Sequence, residues 1–301
     1  MKLNTRKRPR PAFTLIELLV VMAIIAILIS LTAAAVMQFL KKGPEVQRRS
    51  DISQTQDNVA QFKTAFDVTY MPSRFVLRSN ITQYNVNDQL EKDSLLYLKK
   101  MFSDRVGLDN TGTPVVLAWA GFDANGNPIP FTQPTILSGD QCLVFFLGGI
   151  IFAAPGGLPE CQGFSSDRRN PTTAGGGRKG PVMKFEGKRL FLGTNGFYSY
   201  QDPYGTPYAY FSSYNAEGDP RVANRSYGRY AAYTPPSDCG NLGVAPYYSP
   251  NYRYLNAKSF QIISAGTDKT FGPGGLFAPG GGVGAAADDM CNFFDSLIGT
   301  Q

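Results

Sequence analysis

The chain has 301 residues, with 29 Lys plus Arg against 23 Asp plus Glu (formal charge +6), four cysteines and no histidine. A hydrophobic fraction of 43% is enough for a packed core and argues against wholesale disorder. Without histidine there can be no Ser-His-Asp triad, no Cys-His pair and no His-ligated zinc or haem.

Residues 1–12, MKLNTRKRPRPA, carry five basic side chains and no acid. Residues 13–40 follow with a single charge, Glu17, and no proline. About 20 such residues span a bilayer as a helix. An ordinary signal peptide has a shorter apolar core, although Ala33-Ala34-Ala35 could supply a cleavage site. A plain signal anchor explains the length and the basic flank. Neither explains Glu17, since a carboxylate inside the membrane costs roughly 2.5–3.5 kcal/mol on insertion scales.

The stretch Ala12-Phe13-Thr14-Leu15-Ile16-Glu17-Leu18-Leu19-Val20-Val21 resembles the cleavage and methylation motif of type IV prepilins and pseudopilins. The resemblance implies that prepilin peptidase cuts between Ala12 and Phe13 and that the new amino group is methylated. Ala12 stands where the family usually has Gly. Glu17 becomes the fifth mature residue, and in a filament it would neutralise the Phe13 amine of a neighbouring subunit. The leader takes five basic residues with it, leaving 24 against 23 acids. The excess charge is thus a topology signal that keeps the N-terminus cytoplasmic, not a footprint for nucleic acid.

Gly43-Pro44 interrupts the apolar pattern and marks a place where the helix can kink. Over 45–68, Val46, Ile52, Val59, Phe62 and Phe66 form one apolar stripe expected to pack on a globular domain. Arg48, Arg49, Asp51, Gln54, Gln56, Asp57, Lys63 and Asp67 are assigned to the other faces. A near-continuous helix from Phe13 to Asp67 would be roughly 80 Å long.

Further elements are short. A helix is predicted over Ser94–Phe102, a strand over Val115–Trp119, and a helix over Cys142–Phe146 capped by Ser138-Gly139-Asp140 and stopped at Gly148-Gly149. Residues 154–181 read as a loop and Phe185–Leu192 as a strand. Gly175–Gly180 fits G-x-G-x-x-G literally, but no strand precedes it and Pro181 follows, so no dinucleotide site is read there. Asp123–Asn127 begins like a calcium loop but has Pro128 at the glycine position and is read as a turn. Thirteen of the 16 tyrosines lie between Tyr198 and Tyr254, expected to pack a loop-rich β domain rather than to form a binding face.

Asp202-Pro203-Tyr204-Gly205 has the signature of a type I turn. Phe260–Ser264 is a β run into Ala265-Gly266-Thr267-Asp268, and a Gly/Pro/Ala loop leads to Asp288-Asp289-Met290-Cys291-Asn292-Phe293. This order resembles the C-terminal half of the G-type (major) pseudopilin of type II secretion. That family's late loop binds calcium, which implies Asp268, Asp288 and Asp289 with nearby carbonyls as candidate ligands here. Calcium wants six to eight hard oxygens, which suits a flexible loop. Residues 104–181 have no counterpart in small G-type pseudopilins and are read as an insertion. Cys142, Cys161, Cys239 and Cys291 allow three pairings. The favoured one joins Cys142 to Cys161 and Cys239 to Cys291, each stapling one loop region.

The expected architecture is α+β and pilin-like: leader 1–12, membrane and assembly helix 13–40, amphipathic continuation 41–68, and a periplasmic β-sheet domain over 69–301. The expected role is a non-catalytic filament subunit, of a type II secretion pseudopilus or a related pilus. Its partners would be prepilin peptidase, other pilin subunits and an inner-membrane assembly platform. Two alternatives keep the filament: an adhesion pilin, or a DNA-uptake pilin using Arg168, Arg169, Arg178, Lys179, Lys184, Lys188 and Arg189. A third is a membrane-anchored periplasmic enzyme, for which no carboxylate pair has a recognisable setting.

Overall fold

The computed structural model describes residues 14–123, 125–153, 157–214, 238–251, 254–278, 280 and 284–299. The chain divides into two compact units at Val46/Gln47. Helix α1, Leu15–Phe66, runs through that boundary with Pro44 inside it. In the first unit, Leu15–Ala33 is long and apolar enough to cross a membrane, and its side chains are exposed.

In the second unit, one face of α1 enters the core. Ile52, Val59, Phe62 and Phe66 are buried, as the stripe requires. Burying each is worth about 1.5–3 kcal/mol. Val46 is not part of that face and is 67% exposed. Arg48, Asp51 and Thr55 occupy it instead, all buried. The face therefore extends toward the N-terminus at helical spacing through polar residues, which apolarity alone does not reveal.

Helix α2, Gln89–Met101, begins five residues before the predicted start, because the Asp88 carboxylate accepts from the Glu91 N–H at 2.9 Å and caps it. Leu98, Met101 and Phe102 are buried and Leu95 is half-buried. Helix α3, Gly139–Gly148, has Ser138 as N-cap and ends at Gly149, where φ is +74°. Every residue of α3 is buried. It lies within the segment expected to be an insertion, yet it packs at the centre of the core, with Phe145 and Phe146 against Phe62, Phe75, Tyr97, Trp119 and Phe164.

The strands are short. β1 (Phe75–Leu77) pairs with β2 (Thr135–Leu137), β3 (Ile151–Ala153) with β4 (Pro159–Cys161), β5 (Phe164–Ser165) with β6 (Arg178–Lys179), and β7 (Leu190–Leu192) with β8 (Tyr198–Tyr200), all antiparallel. The central sheet has three antiparallel strands: β9 (Ala209–Ser212), β11 (Phe260–Ser264) and β13 (Met290–Cys291), with β11 in the middle. β10 (Tyr247–Tyr248) and β12 (Gly275–Leu276) form a small parallel pair. In the register Tyr210 faces Ile262 and Ala209 faces Ile263. Tyr210 and Ile262 join the main core, while Ala209, Phe211 and Ile263 join a second apolar cluster with Val244, Tyr247, Phe271 and Phe277. A sheet buried on both faces explains why β11 reads as a continuous run rather than an alternation.

Two predicted strands are corrected. Val115–Trp119 is irregular backbone that satisfies itself through Val115 N–H to Gly107 O and Leu117 N–H to Ser79 O. Phe185–Leu192 is a 3₁₀ turn, Gly187–Arg189, followed by β7. The predicted loop at 154–181 holds three short strands, β4, β5 and β6. The tyrosines pack inward: Tyr200, Tyr208, Tyr210, Tyr214 and Tyr247 are buried, and Tyr227, Tyr230, Tyr233 and Tyr252 lie outside the described residues.

Candidate functional site

At the N-terminus, Ala12 and Phe13 lie outside the described residues. The start of α1 is nevertheless organised around Glu17. Its Oε2 accepts from the Thr14 N–H and from the Thr14 hydroxyl, each at 2.8 Å, while the Glu17 N–H donates to Thr14 Oγ1 at 3.3 Å. This reciprocal Thr-x-x-Glu arrangement satisfies helix donors that have no partner within the helix. Glu17 thus holds the first turn in shape and keeps its carboxylate at that end of the helix.

Where α1 enters the globular unit, a buried polar cluster anchors it. Arg189 Nη2 lies 2.5 Å from Asp51 Oδ2, the Tyr208 hydroxyl donates to the same oxygen at 2.8 Å, and Arg189 Nε donates to Gln201 O at 2.8 Å. The Arg189 guanidinium also stands 4.3 Å from the Tyr200 ring centroid. One turn earlier, Arg48 Nη1 donates to Asp288 O at 3.0 Å and its guanidinium lies over the Tyr204 ring.

The three C-terminal segments singled out in the sequence meet near Arg48. Asp202 is buried, and its Oδ1 accepts from the N–H groups of Tyr204 and Thr206 at 2.9 and 3.0 Å. Gly205 supplies φ of +93° in this turn. The other Asp202 oxygen accepts from the Ser264 hydroxyl at 2.6 Å, tying the turn to the end of β11. Gly266 has φ of +80°, and a Cβ there would stand 2.5 Å from Asp288 Oδ2. The glycine is therefore required for the close approach of the 288 carboxylate.

Asp288 Oδ2 accepts from the Thr267 N–H at 2.5 Å and from the Thr267 hydroxyl. Asp268 Oδ1 accepts from the Thr270 N–H at 2.8 Å. Asp289 is fully buried; its Oδ2 accepts from the Gly272 N–H at 2.9 Å, and its Oδ1 has no hydrogen-bond partner. Burial, with the nearby charges of Asp288 and Asp268, pushes the Asp289 carboxyl up to about 7. Among the described residues no group of three or more Asp, Glu or Cys side chains stands ready to hold a metal. A cation here would need carbonyl oxygens in addition to these carboxylates.

The four cysteines are buried thiols, and neither expected bridge is formed. Cys161 packs against Gly148 at the far end of α3, about 9 Å of helix rise from Cys142. Cys239 instead lies beside Gly139, in the same first turn as Cys142.

The basic residues considered for DNA are largely committed within the fold. Arg178 donates to the carbonyls of Gln162, Thr173 and Gly163 at 3.0, 2.7 and 2.9 Å. Arg168 donates to Phe102 O, Arg169 binds Asn110, Lys179 stands over the Phe66 ring, and Lys188 pairs with Glu186 at 3.0 Å. Arg189 is the buried partner of Asp51.

Residues 7–33 match the family model described as the prokaryotic N-terminal methylation motif. No curated protein and no solved structure matches the chain. The motif and the apolar helix that carries it fit the type IV pilin and pseudopilin family. The match supports a pilin-like or pseudopilin subunit and implies processing by prepilin peptidase and assembly with other pilin subunits.

Proposed function

We propose that the chain is a structural subunit of a type II secretion pseudopilus with no catalytic activity of its own. Leu15–Ala33 anchors it in the inner membrane, with the leader in the cytoplasm and the globular unit in the periplasm. An inner-membrane assembly platform extracts it into the filament. The observation that carries this reading is the meeting of the 202–208, 264–268 and 288–292 segments around Arg48 in a chain that bears the methylation motif. The first test is mass spectrometry of the mature N-terminus. N-methyl-phenylalanine at residue 13 is expected, and an intact Met1 or a start near residue 36 overturns the filament reading. The second is deletion of the gene. Exported proteins should accumulate in the periplasm while DNA uptake and adherence are unchanged; the reverse pattern overturns the secretion role.

Calcium is the proposed ligand of the late loop. Its support is the buried, unpartnered Asp289 Oδ1 with the carboxylates of Asp288 and Asp268 nearby. Asp289 would be the central ligand, and the ion would neutralise a carboxylate that burial otherwise penalises. A ligand bound only by the folded state stabilises it by about 2.7 kcal/mol at a hundredfold excess over Kd. Millimolar calcium should therefore raise the melting temperature by several degrees, magnesium should do less, and Asp289→Asn should abolish the difference. An equal response in Asp289→Asn removes the ion from this loop.

A further inference from the structure

A second site lies beside the first turn of α3. A solvent-open cleft of about 450 Å³ is lined there by residues of β2, α3 and the β7–β8 turn, together with Asn241 and Leu242. Its size is within the range of small-ligand pockets.

The floor is built around Asp140, which is only 2% exposed. Its Oδ1 accepts from the Ser138 hydroxyl at 2.6 Å and from the Asn241 amide at 3.2 Å, and its Oδ2 accepts from the Ser199 hydroxyl at 2.5 Å. Beside it, Gln141 and Asn195 exchange amide hydrogen bonds at 2.7 and 2.9 Å. These planar polar groups are fixed by the fold before any ligand arrives. Among the described residues Asn241 gives one N–H to Asp140 and leaves its acceptor oxygen and second N–H for a ligand, and Thr194 is exposed. The rim is apolar. Phe191 is 53% exposed and Ile136 39%. A lone exposed ring is ordinary on a protein surface; what Phe191 offers here is a flat apolar face at the edge of a cleft whose other lining is largely polar.

The lining selects a chemistry. Among the described lining residues there is no Lys or Arg, so phosphate, sulfate and nucleic acid have no counter-charge. A single carboxylate with both oxygens hydrogen-bonded does not make a cation cage. The complement to fixed amide and carboxylate groups beneath an exposed ring is a neutral molecule that is rich in hydroxyls and has an apolar C–H face. A pyranose ring has both properties. From this we infer that the cleft binds a neutral saccharide chain, one ring resting on Phe191 and its hydroxyls bonded to Asn241 and Thr194.

The test uses the full chain in nanodiscs or a sugar-free detergent, because maltoside and glucoside detergents would compete. Cellohexaose, maltohexaose and chitohexaose are titrated by calorimetry, with saturation-transfer NMR to locate the bound ring. At least one should bind with Kd between about 10 μM and 1 mM. Phe191→Ala, at an exposed position, should weaken it about tenfold or more, Phe191→Tyr should retain it, and Asn241→Ala should weaken it. Absence of binding by all three up to about 5 mM, with a wild-type melting curve, overturns the proposal. Binding that Phe191→Ala leaves intact, or that only a sulfated polysaccharide such as heparin achieves, overturns it equally. The site is independent of the secretion role, and the N-terminal processing test leaves it untouched.

Discussion

Arg189→Met should destabilise the globular unit by about 3–5 kcal/mol, the range for removing one partner of a buried ion pair. For a unit of this size, that is a fall of about 10 °C in melting temperature. The substitution keeps the volume of the stem but leaves Asp51 Oδ2 facing only the Tyr208 hydroxyl in a buried setting. It also frees the Gln201 carbonyl, which Arg189 Nε now satisfies. The decisive comparison is Asp51→Leu with Arg189→Met. Replacing both charges by apolar side chains of similar size is often neutral, so the double variant should recover most of the loss. A residual deficit should trace to the Tyr208 hydroxyl, stranded once Asp51 is gone, and adding Tyr208→Phe should close it. If the double variant is as unstable as the single, the cost lies in packing around the Arg189 stem and Tyr200, and the ion pair is not the anchor.

This anchor also marks how far the sequence could be read. Ile52, Val59, Phe62 and Phe66 sit three, four or seven apart, and a helix must put them on one face, so the buried stripe was legible. Its continuation was not. Asp51 and Arg48 have the right spacing, but a charged residue on a core face is uncommon, and the partners that permit it lie 138 and 240 residues away. The helix over α3 was legible from its Ser-Gly-Asp start and Gly-Gly stop. Its place at the centre of the core was not, because it falls within 104–181, which the family resemblance marks as an insertion, and its ring partners Phe62 and Phe75 are distant in sequence. At the C-terminal end, the Asp202 turn, the β11 run and the Gly266 position could all be read locally. That they meet was implied only by a family resemblance, and it rests physically on Asp202 with Ser264 and on Gly266 beneath Asp288. The cysteine pairing rested on each bridge stapling one loop region; in the structure the four thiols are free, and the length of α3 separates Cys142 from the Gly148 end where Cys161 packs.

Glu17→Gln should leave the protein inserted, cut and helical, yet reduce filament yield at least about tenfold. The structure gives Glu17 one local task, and the prepilin motif implies a second. The first is local, since its side chain closes a reciprocal pair with Thr14 at the start of α1. Glutamine retains an acceptor oxygen and completes the same pair, so helix content by circular dichroism should not change. The second, implied by the motif, is electrostatic and would exist only between subunits. Cutting before Phe13 creates a cationic amine, and bringing it into an apolar bundle without a counter-charge costs several kcal/mol. Glutamine is neutral and cannot offset that charge, so loss of assembly with an intact helix isolates the second task. Thr14→Ala is the complementary variant. It removes the local pair while keeping the carboxylate, and it should cost about 1 kcal/mol at the helix start with filaments still formed. Equal filament yields from Glu17→Gln and wild type would leave Glu17 as a helix cap alone, and a Thr14→Ala chain that fails as completely would assign the assembly defect to the fraying of the first turn.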